Sequence, residues 1–290
     1  MLHHKQIAII GGDQRYVHMI ERLAHNRAQL FVVGFTDTSF SHASIEKCSL
    51  DNVPFHSLDA ITLPVHGMDE SFSVHQYFPP GNITLTKELL MQTPATCKIF
   101  SGTANNHLRQ LCKKLKREII VLYEIDSVAI LNAKPTAEAT LQLAMQHTIK
   151  TIHESHILIT GFGKVAQAIA QLFQAVGAHV HIAARRQTDM ATAKIRNFTP
   201  ISFEQLNDAL PKIDICINTV PHLIFTADVL DYMHQATLLI DIASAPGGTD
   251  FTAAKAKGVQ AIHALGLPGK TAPLTAGEII AQPIINRLLE

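Results

Sequence analysis

The chain has 290 residues, 47 % apolar and 17 % charged, with 24 basic side chains balancing 24 acidic ones. That length suggests two domains, and the balance excludes a disordered chain and offers no basic surface to nucleic acid or an anionic membrane. No apolar run approaches the roughly 20 residues that span a bilayer, the start Met1-Leu2-His3-His4-Lys5 lacks a signal-peptide layout, and four scattered cysteines without a C-x-x-C predict reduced thiols in a cytoplasmic protein. Residues 5–10 then read as a strand ending at Gly11-Gly12-Asp13. Val17, Ile20, Leu23 and Ala24 follow at helical spacing, and residues 30–33 read as a second strand. The turn is not a G-x-G-x-x-G, and Asp13 stands where a phosphate would be repelled. The N-terminal half therefore predicts an α/β domain with no dinucleotide of its own. Further strands are expected at 60–65, 98–100 and 118–122, and helices at 86–91 and 105–116. Strands alternating with helices argue for a parallel sheet covered on both faces. Residues 37–59 show no clear period and are assigned no element.

Pro135 is expected to open a helix at its first turn, where a missing N–H costs little. This helix, about 135–149, reads as the connector between domains, with the site in the cleft beside it. The stretch 156–186 carries the strongest signal. An apolar strand at 156–160 runs into Gly161-Phe162-Gly163, and Ala166 completes G-x-G-x-x-A. Val165, Ala168, Ile169, Leu172, Phe173 and Val176 are spaced as a helix, Gly177 ends it, and 178–182 reads as a strand. This is a dinucleotide-binding strand, turn, helix and strand. Gly161 permits the tight turn, Gly163 lets a pyrophosphate reach the backbone, and Phe162, Lys164 and Val165 complete the phosphate loop at the helix N-terminus.

An NAD-binding unit usually places Asp or Glu about 20 residues beyond the glycines. Here the strand ends Ala183-Ala184-Arg185-Arg186. Two guanidiniums and no carboxylate favour a 2′-phosphate, hence NADP. The alternative is a solvated strand end.

A short helix is expected at 203–210 and strands at 213–217, 237–242 and 259–263. They end in Asn218-Thr219-Val220-Pro221, in Ala243-Ser244-Ala245-Pro246-Gly247-Gly248, and in Gly266-Leu267-Pro268-Gly269. Ligands of open parallel sheets bind beyond these carboxyl ends. Asn218, Thr219, Val220, Ala243 and Ser244 therefore join the cofactor candidates. A tail helix at 272–289, kinked at Pro283, is apolar enough to pack back on the N-terminal domain. The 17 histidines show no zinc spacing, so no metal is expected.

Taken together, Gly-Gly-Asp-Gln-Arg at 11–15, Ile-Phe-Ser-Gly at 99–102, Pro-Thr-Ala-Glu at 135–138, Gln-His-Thr at 146–148, Ile-Asp-Ile-Cys-Ile-Asn-Thr-Val-Pro at 213–221, Pro-Gly-Gly-Thr-Asp-Phe at 246–251 and Gly-Leu-Pro-Gly at 266–269 resemble the A subunits of dipicolinate synthases over essentially the whole chain. More distantly, the layout looks like D-2-hydroxyacid and alanine dehydrogenases. The resemblance implies NADP-linked oxidation of dihydrodipicolinate to dipicolinate in the mother cell of a sporulating bacterium. It further implies a flavin-type B subunit for a partner; association of the chain with copies of itself is also expected.

Such a substrate carries two carboxylates and loses a ring proton. Arg15 is the candidate clamp for one carboxylate; Gly12, Ser101, Gly102 and Thr136 are candidates for the other; Asp13 is the candidate proton acceptor. The structural alternatives are an N-cap role for Asp13, a surface position for Arg15, a first-turn role for Glu138 and a packed position for His147. The expected fold is α/β: two doubly wound parallel-sheet domains, the second a Rossmann NAD(P)-binding domain. Expected boundaries are 1–130 with 272–290, a connecting helix at 131–150, and 151–271. Rival readings are an NADP-dependent dehydrogenase of a small hydroxy or amino acid and a non-catalytic NADP-sensing protein.

Overall fold

The computed structural model describes residues 1–290. Two compact units make up the chain, one of Met1–Asn132 with Pro268–Glu290 and one of Ala133–Leu267. The first unit contains β1 (Gln6–Ile10), α1 (Gln14–His25), β2 (Gln29–Val33), β3 (Ile45–Lys47) and β4 (Ala60–Thr62). It continues with β5 (Ser73–Tyr77), β6 (Pro80–Thr84), α2 (Lys87–Met91), β7 (Lys98–Ser101), α3 (Asn106–Leu115) and β8 (Ile119–Val121). Helix α4 (Asp126–His147) begins in this unit and ends in the next.

The second unit contains β9 (His156–Thr160), α5 (Lys164–Ala175), β10 (His179–Ala183), α6 (Gln187–Ile195), β11 (Thr199–Ile201) and α7 (Leu206–Ala209). Then come β12 (Ile215–Asn218), α8 (Ala227–Leu230), β13 (Leu238–Asp241), α9 (Phe251–Ala256) and β14 (Gln260–His263). Helix α10 (Leu267–Thr271) leads to α11 (Pro273–Leu289), which belongs to the first unit.

Each unit is built on one six-stranded parallel sheet. Their orders are β3-β2-β1-β4-β7-β8 and β11-β10-β9-β12-β13-β14, so both follow the 3-2-1-4-5-6 path of a doubly wound domain. Strand β1 shows why the faces are covered. Ile7 and Ile9 enter one buried cluster, and Ala8 and Ile10 enter another on the opposite face. In β9, Ile157 and Ile159 lie on one side and Leu158 on the other. Such strands have no solvent face, which is why they read as continuous apolar runs.

Helix ends follow side-chain chemistry. Asn105 accepts from Leu108 N at 2.8 Å to start α3, which ends at Lys116 with a left-handed φ of 54°. Helix α11 packs on α1 at close range. A Cβ on Gly277 would stand 2.4 Å from the Arg15 carbonyl oxygen, and Ile280, Ile284 and Ile285 share a cluster with Met19, Ile20 and Leu23.

The structure corrects several expectations. Pro135 does not open its helix; it lies inside α4, which starts nine residues earlier at Asp126. A proline deprives the i−4 carbonyl of its partner, at a cost of about 3 kcal/mol that tertiary packing of Ala133, Ala137 and Ala139 offsets here. Gly266-Leu267-Pro268-Gly269 is not a loop: α10 starts at Leu267. Strand β3 runs through the unassigned 37–59 stretch, and β11, α6 and the antiparallel hairpin β5–β6 had no expected counterpart. Burial pushes the Cys97 thiol up to about 12 and Cys112 to about 11, so neither supplies a thiolate near neutrality.

Candidate functional site

In the second unit the turn after β9 leaves the start of α5 open. Gly161 has φ +88°, and a Cβ there would stand 2.7 Å from Thr219 Oγ1 and 2.9 Å from Val220 Cγ2. Only glycine fits. Gly163 has ordinary φ, but a Cβ on it would meet nothing within 4 Å. Open space therefore lies before α5, whose N-terminus has no side-chain cap and no acid in its first turn. Ala166 is fully buried in the cluster with Ile159, so α5 lies close on the sheet. Phe162 is buried and meets Phe198 edge-on, with the Arg196 guanidinium over its ring. Lys164 and Val165 form the first turn of α5. An uncapped helix start with an open approach fits an anionic pyrophosphate.

At the end of β10, the two arginines differ. Arg186 forms two bonds to the Asp189 carboxylate, at 2.8 and 2.9 Å, within the start of α6. The exposed Arg185 lays its guanidinium over the Phe203 ring, 5.8 Å from the centroid. Arg186 is tied up by its own helix, whereas the Arg185 contact is to the face of an aromatic ring.

The turns after β12 and β13 are joined by a buried network. Asn218 and Asp241 are directly paired neighbours, as are Asn218 and Thr160. Thr160 Oγ1 donates to Asn218 Oδ1 at 2.6 Å, and Asn218 Nδ2 donates to Asp241 Oδ1 at 2.9 Å. Asp241 also accepts from Ala243 N at 3.0 Å and Gly248 N at 2.9 Å. Thr219 Oγ1 donates to the Thr160 carbonyl at 2.7 Å, and Val220 N to Asn218 Oδ1 at 3.2 Å. Of the expected cofactor residues, Asn218, Thr219 and Val220 thus brace the glycine turn. Ala243 has its N–H spent on Asp241, and Ser244 is exposed. Asp241 and Thr160 were missed. The visible signal was a carboxylate ending the apolar run Leu238-Leu239-Ile240.

The turn after β1 in the first unit is closed. The β5–β6 hairpin lies on it: Gly12 N donates to His75 O at 3.2 Å, and a Cβ on Gly11 would stand 2.4 Å from that oxygen. Asp13 caps α1 and grips its neighbour. Arg15 Nε lies 2.9 Å from Asp13 Oδ1, and Nη2 lies 2.8 Å from Oδ2. Arg15 Nη1 donates to the Tyr123 hydroxyl at 2.6 Å.

Arg15 is therefore neither a surface residue nor an open clamp, since its side chain is 4 % exposed and held at both edges. Burial alone lowers its pKa; Tyr123 and Asp13 outweigh that, and the net shift is upward. Burial likewise raises the Tyr123 phenol. Gly269 lies against the pair, with its would-be Cβ 2.7 Å from Nη2. Ser101 donates to the Thr103 carbonyl at 2.6 Å, and Gly102 N to Pro64 O at 3.4 Å, so neither hydrogen is left for a carboxylate. Thr136 lies in the buried part of α4, in the other unit.

Fold and turn geometry define the class: a two-unit α/β protein whose second unit is a doubly wound, Rossmann-type domain. The family model for the D-isomer specific 2-hydroxyacid dehydrogenase NAD-binding domain matches residues 130–247, and that for the N-terminal domain of the dipicolinate synthase A subunit matches residues 6–123. The chain is 39 % identical over 289 residues to the A subunit of dipicolinate synthase from Bacillus subtilis (strain 168), covering 100 % of this chain and 97 % of that one. The crystal structure of the dipicolinate synthase A subunit from Bacillus halodurans superposes with a TM-score of 0.95 at 39 % identity, over 100 % of this chain and 99 % of that one. The crystal structure of its Bacillus subtilis counterpart gives 0.90 at 39 % identity, over 100 % and 97 %. This chain belongs to the family of dipicolinate synthase A subunits. No helix is long and apolar enough to cross a membrane.

Proposed function

We propose that the chain oxidises a dihydropyridine-2,6-dicarboxylate to the aromatic pyridine-2,6-dicarboxylate with NADP, in the cytoplasm of a sporulating cell and together with a second, flavin-type subunit. The substrate reading rests on the names of the relatives. The cofactor reading rests on Arg185 standing at the end of β10, where an NAD site carries a carboxylate. NADP, when bound, supplies the hydride acceptor. The substrate gives up one hydride and one proton, and aromatisation drives the step downhill. The chain is left to position the ring and accept the proton.

The Gly161–Gly163 turn and the start of α5 hold the pyrophosphate, and Arg185 holds the 2′-phosphate. On the substrate side we retain Asp13 and Arg15, both of the first unit. Gly12, Ser101 and Gly102 are released because their hydrogens are spent inside the fold. Asp13, 21 % exposed at its side chain, takes the proton, and the buried Arg15 fixes its orientation. Arg185→Asp should weaken NADP binding by about tenfold or more and leave NAD nearly unchanged, measured by calorimetry. Equal losses would show that Arg185 does not read the 2′-phosphate. Asp13→Asn should lower kcat by about a hundredfold with NADPH affinity intact; an unchanged kcat would place the proton acceptor elsewhere.

A further inference from the structure

The buried carboxylate of Asp241 is not needed to make a strand. It ends β13 with no solvent exposure, and its three partners are neutral: the Asn218 amide and the backbone N–H groups of Ala243 and Gly248. Every hydrogen bond that this carboxylate makes is one it accepts, and none comes from a cationic side chain. An anion buried among dipoles costs stability unless a cation answers it. Such charges collect at functional sites.

The place of Asp241 in the sheet says which cation would answer. The order β11-β10-β9-β12-β13-β14 reverses between β9 and β12. A dinucleotide in a sheet of this order lies across that switch point, with its pyrophosphate on the glycine turn and its adenosine ribose at the end of the second strand, here β10. The remaining half runs over the ends of β12 and β13, where Asn218 and Asp241 stand side by side. That half carries the nicotinamide ring, which is a cation when oxidised and neutral when reduced.

We propose that Asp241 is the residue that biases this site toward the oxidised nicotinamide, its fixed negative charge at the end of β13 favouring the cationic ring over the neutral one. The inference rests on the dinucleotide reading of the Gly161–Gly163 turn. The network is built to keep the charge in place. A Cβ on Gly248 would stand 2.3 Å from Asn218 Nδ2 and 2.7 Å from the Val220 carbonyl oxygen, so the 243–248 loop is drawn tightly onto Asn218 and Asp241. Opposite unit charges about 10 Å apart, at an effective dielectric near 20, shift an equilibrium by roughly tenfold. The Thr160 side chain reaches Asp241 only through Asn218 and carries no charge, so it separates geometry from electrostatics.

The test is equilibrium binding of NADP⁺ and NADPH to wild type, Asp241→Asn and Thr160→Val, by calorimetry and by NADPH fluorescence. Both forms bind the same native population, so the ratio of their dissociation constants is independent of any loss of folded protein. Asp241→Asn should lower the ratio Kd(NADPH)/Kd(NADP⁺) by about tenfold. Thr160→Val should weaken both forms alike and leave the ratio unchanged. A ratio unaltered in Asp241→Asn, in protein that still binds both forms, overturns the inference and leaves the dinucleotide reading standing. Wild-type protein that binds neither form overturns both. If Asp241→Asn does not fold, Asp241→Ser, which can still accept from an amide, takes its place. Failure of both to fold assigns the carboxylate to folding and overturns the inference.

Discussion

The two units share a strand order, and each follows its first strand with a glycine turn and an amphipathic helix, yet the two turns are opposites. After β9 the turn is open, and no side chain caps α5. After β1 the hairpin covers the turn, His75 takes the Gly12 N–H, and Asp13 caps α1 while paired with Arg15. Strand order places a helix N-terminus at the carboxyl edge of each sheet. What that terminus can bind depends on whether the chain has already filled it. In the first unit the helix dipole is answered by a carboxylate of its own; in the second no carboxylate stands in the first turn.

The strongest way to break this contrast is to unpair the closed turn. Arg15→Ala removes a buried partner from Asp13 and should destabilise the protein by about 3 kcal/mol, read from urea unfolding. Arg15→Ala combined with Asp13→Ala should recover part of the loss, because no unpaired carboxylate then remains.

Next in size is making the open turn resemble the closed one. Gly163→Asp places a carboxylate at the N-cap of α5, where there is room for it. Stability should hold or rise by about 0.5 kcal/mol, while NADPH affinity falls by about a hundredfold or more. Unchanged affinity in fluorescence titration would mean that the dinucleotide does not use this turn.

The smallest expected effect concerns the far edge of the second sheet. His156 Nδ1 lies 3.0 Å from His181 Nε2, and His179 stacks on His156 with centroids 5.0 Å apart. Burial, with His156 and His179 adding to it, depresses His181 from 6.5 to about 4. The folded state therefore binds fewer protons than the unfolded chain between those values. Stability of the second unit should be full above about pH 6.5, fall as pH drops toward 4, and level off below. His181→Gln should flatten that slope for amides of the second unit and leave the first unit unchanged, by hydrogen exchange across pH 4 to 7.

Much of this architecture was legible in the chain itself. Apolar runs such as Ile157-Leu158-Ile159 announced strands buried on both faces, and Gly161, Gly163 and Ala166 announced the tight turn and the close-packed helix after β9. Two edge strands were not legible: β3 (Ile-Glu-Lys) and β11 (Thr-Pro-Ile) have three residues each and no apolar run, unlike the equally short Ile-Ile-Val of β8. Pro135 misled because its cost is local, whereas the packing that outweighs it comes from residues distant in sequence. Arg15 misled in another way, since a guanidinium beside a glycine turn reads as a ligand clamp until Tyr123, 108 residues away, is seen to hold it.

What the amino-acid order determined alone was local: periodicity, turn residues, and a strand end with arginines in place of a carboxylate. Those follow from the backbone and nearest neighbours, so they can be read one segment at a time. Only the tertiary structure decided which glycine turn stays open and which charges are spent. His75 meets Gly12, Asp241 meets Asn218, and Gly269 meets Arg15 through contacts of long sequence separation. A hydrogen bond of that kind is invisible until both partners have been brought to the same edge of a sheet.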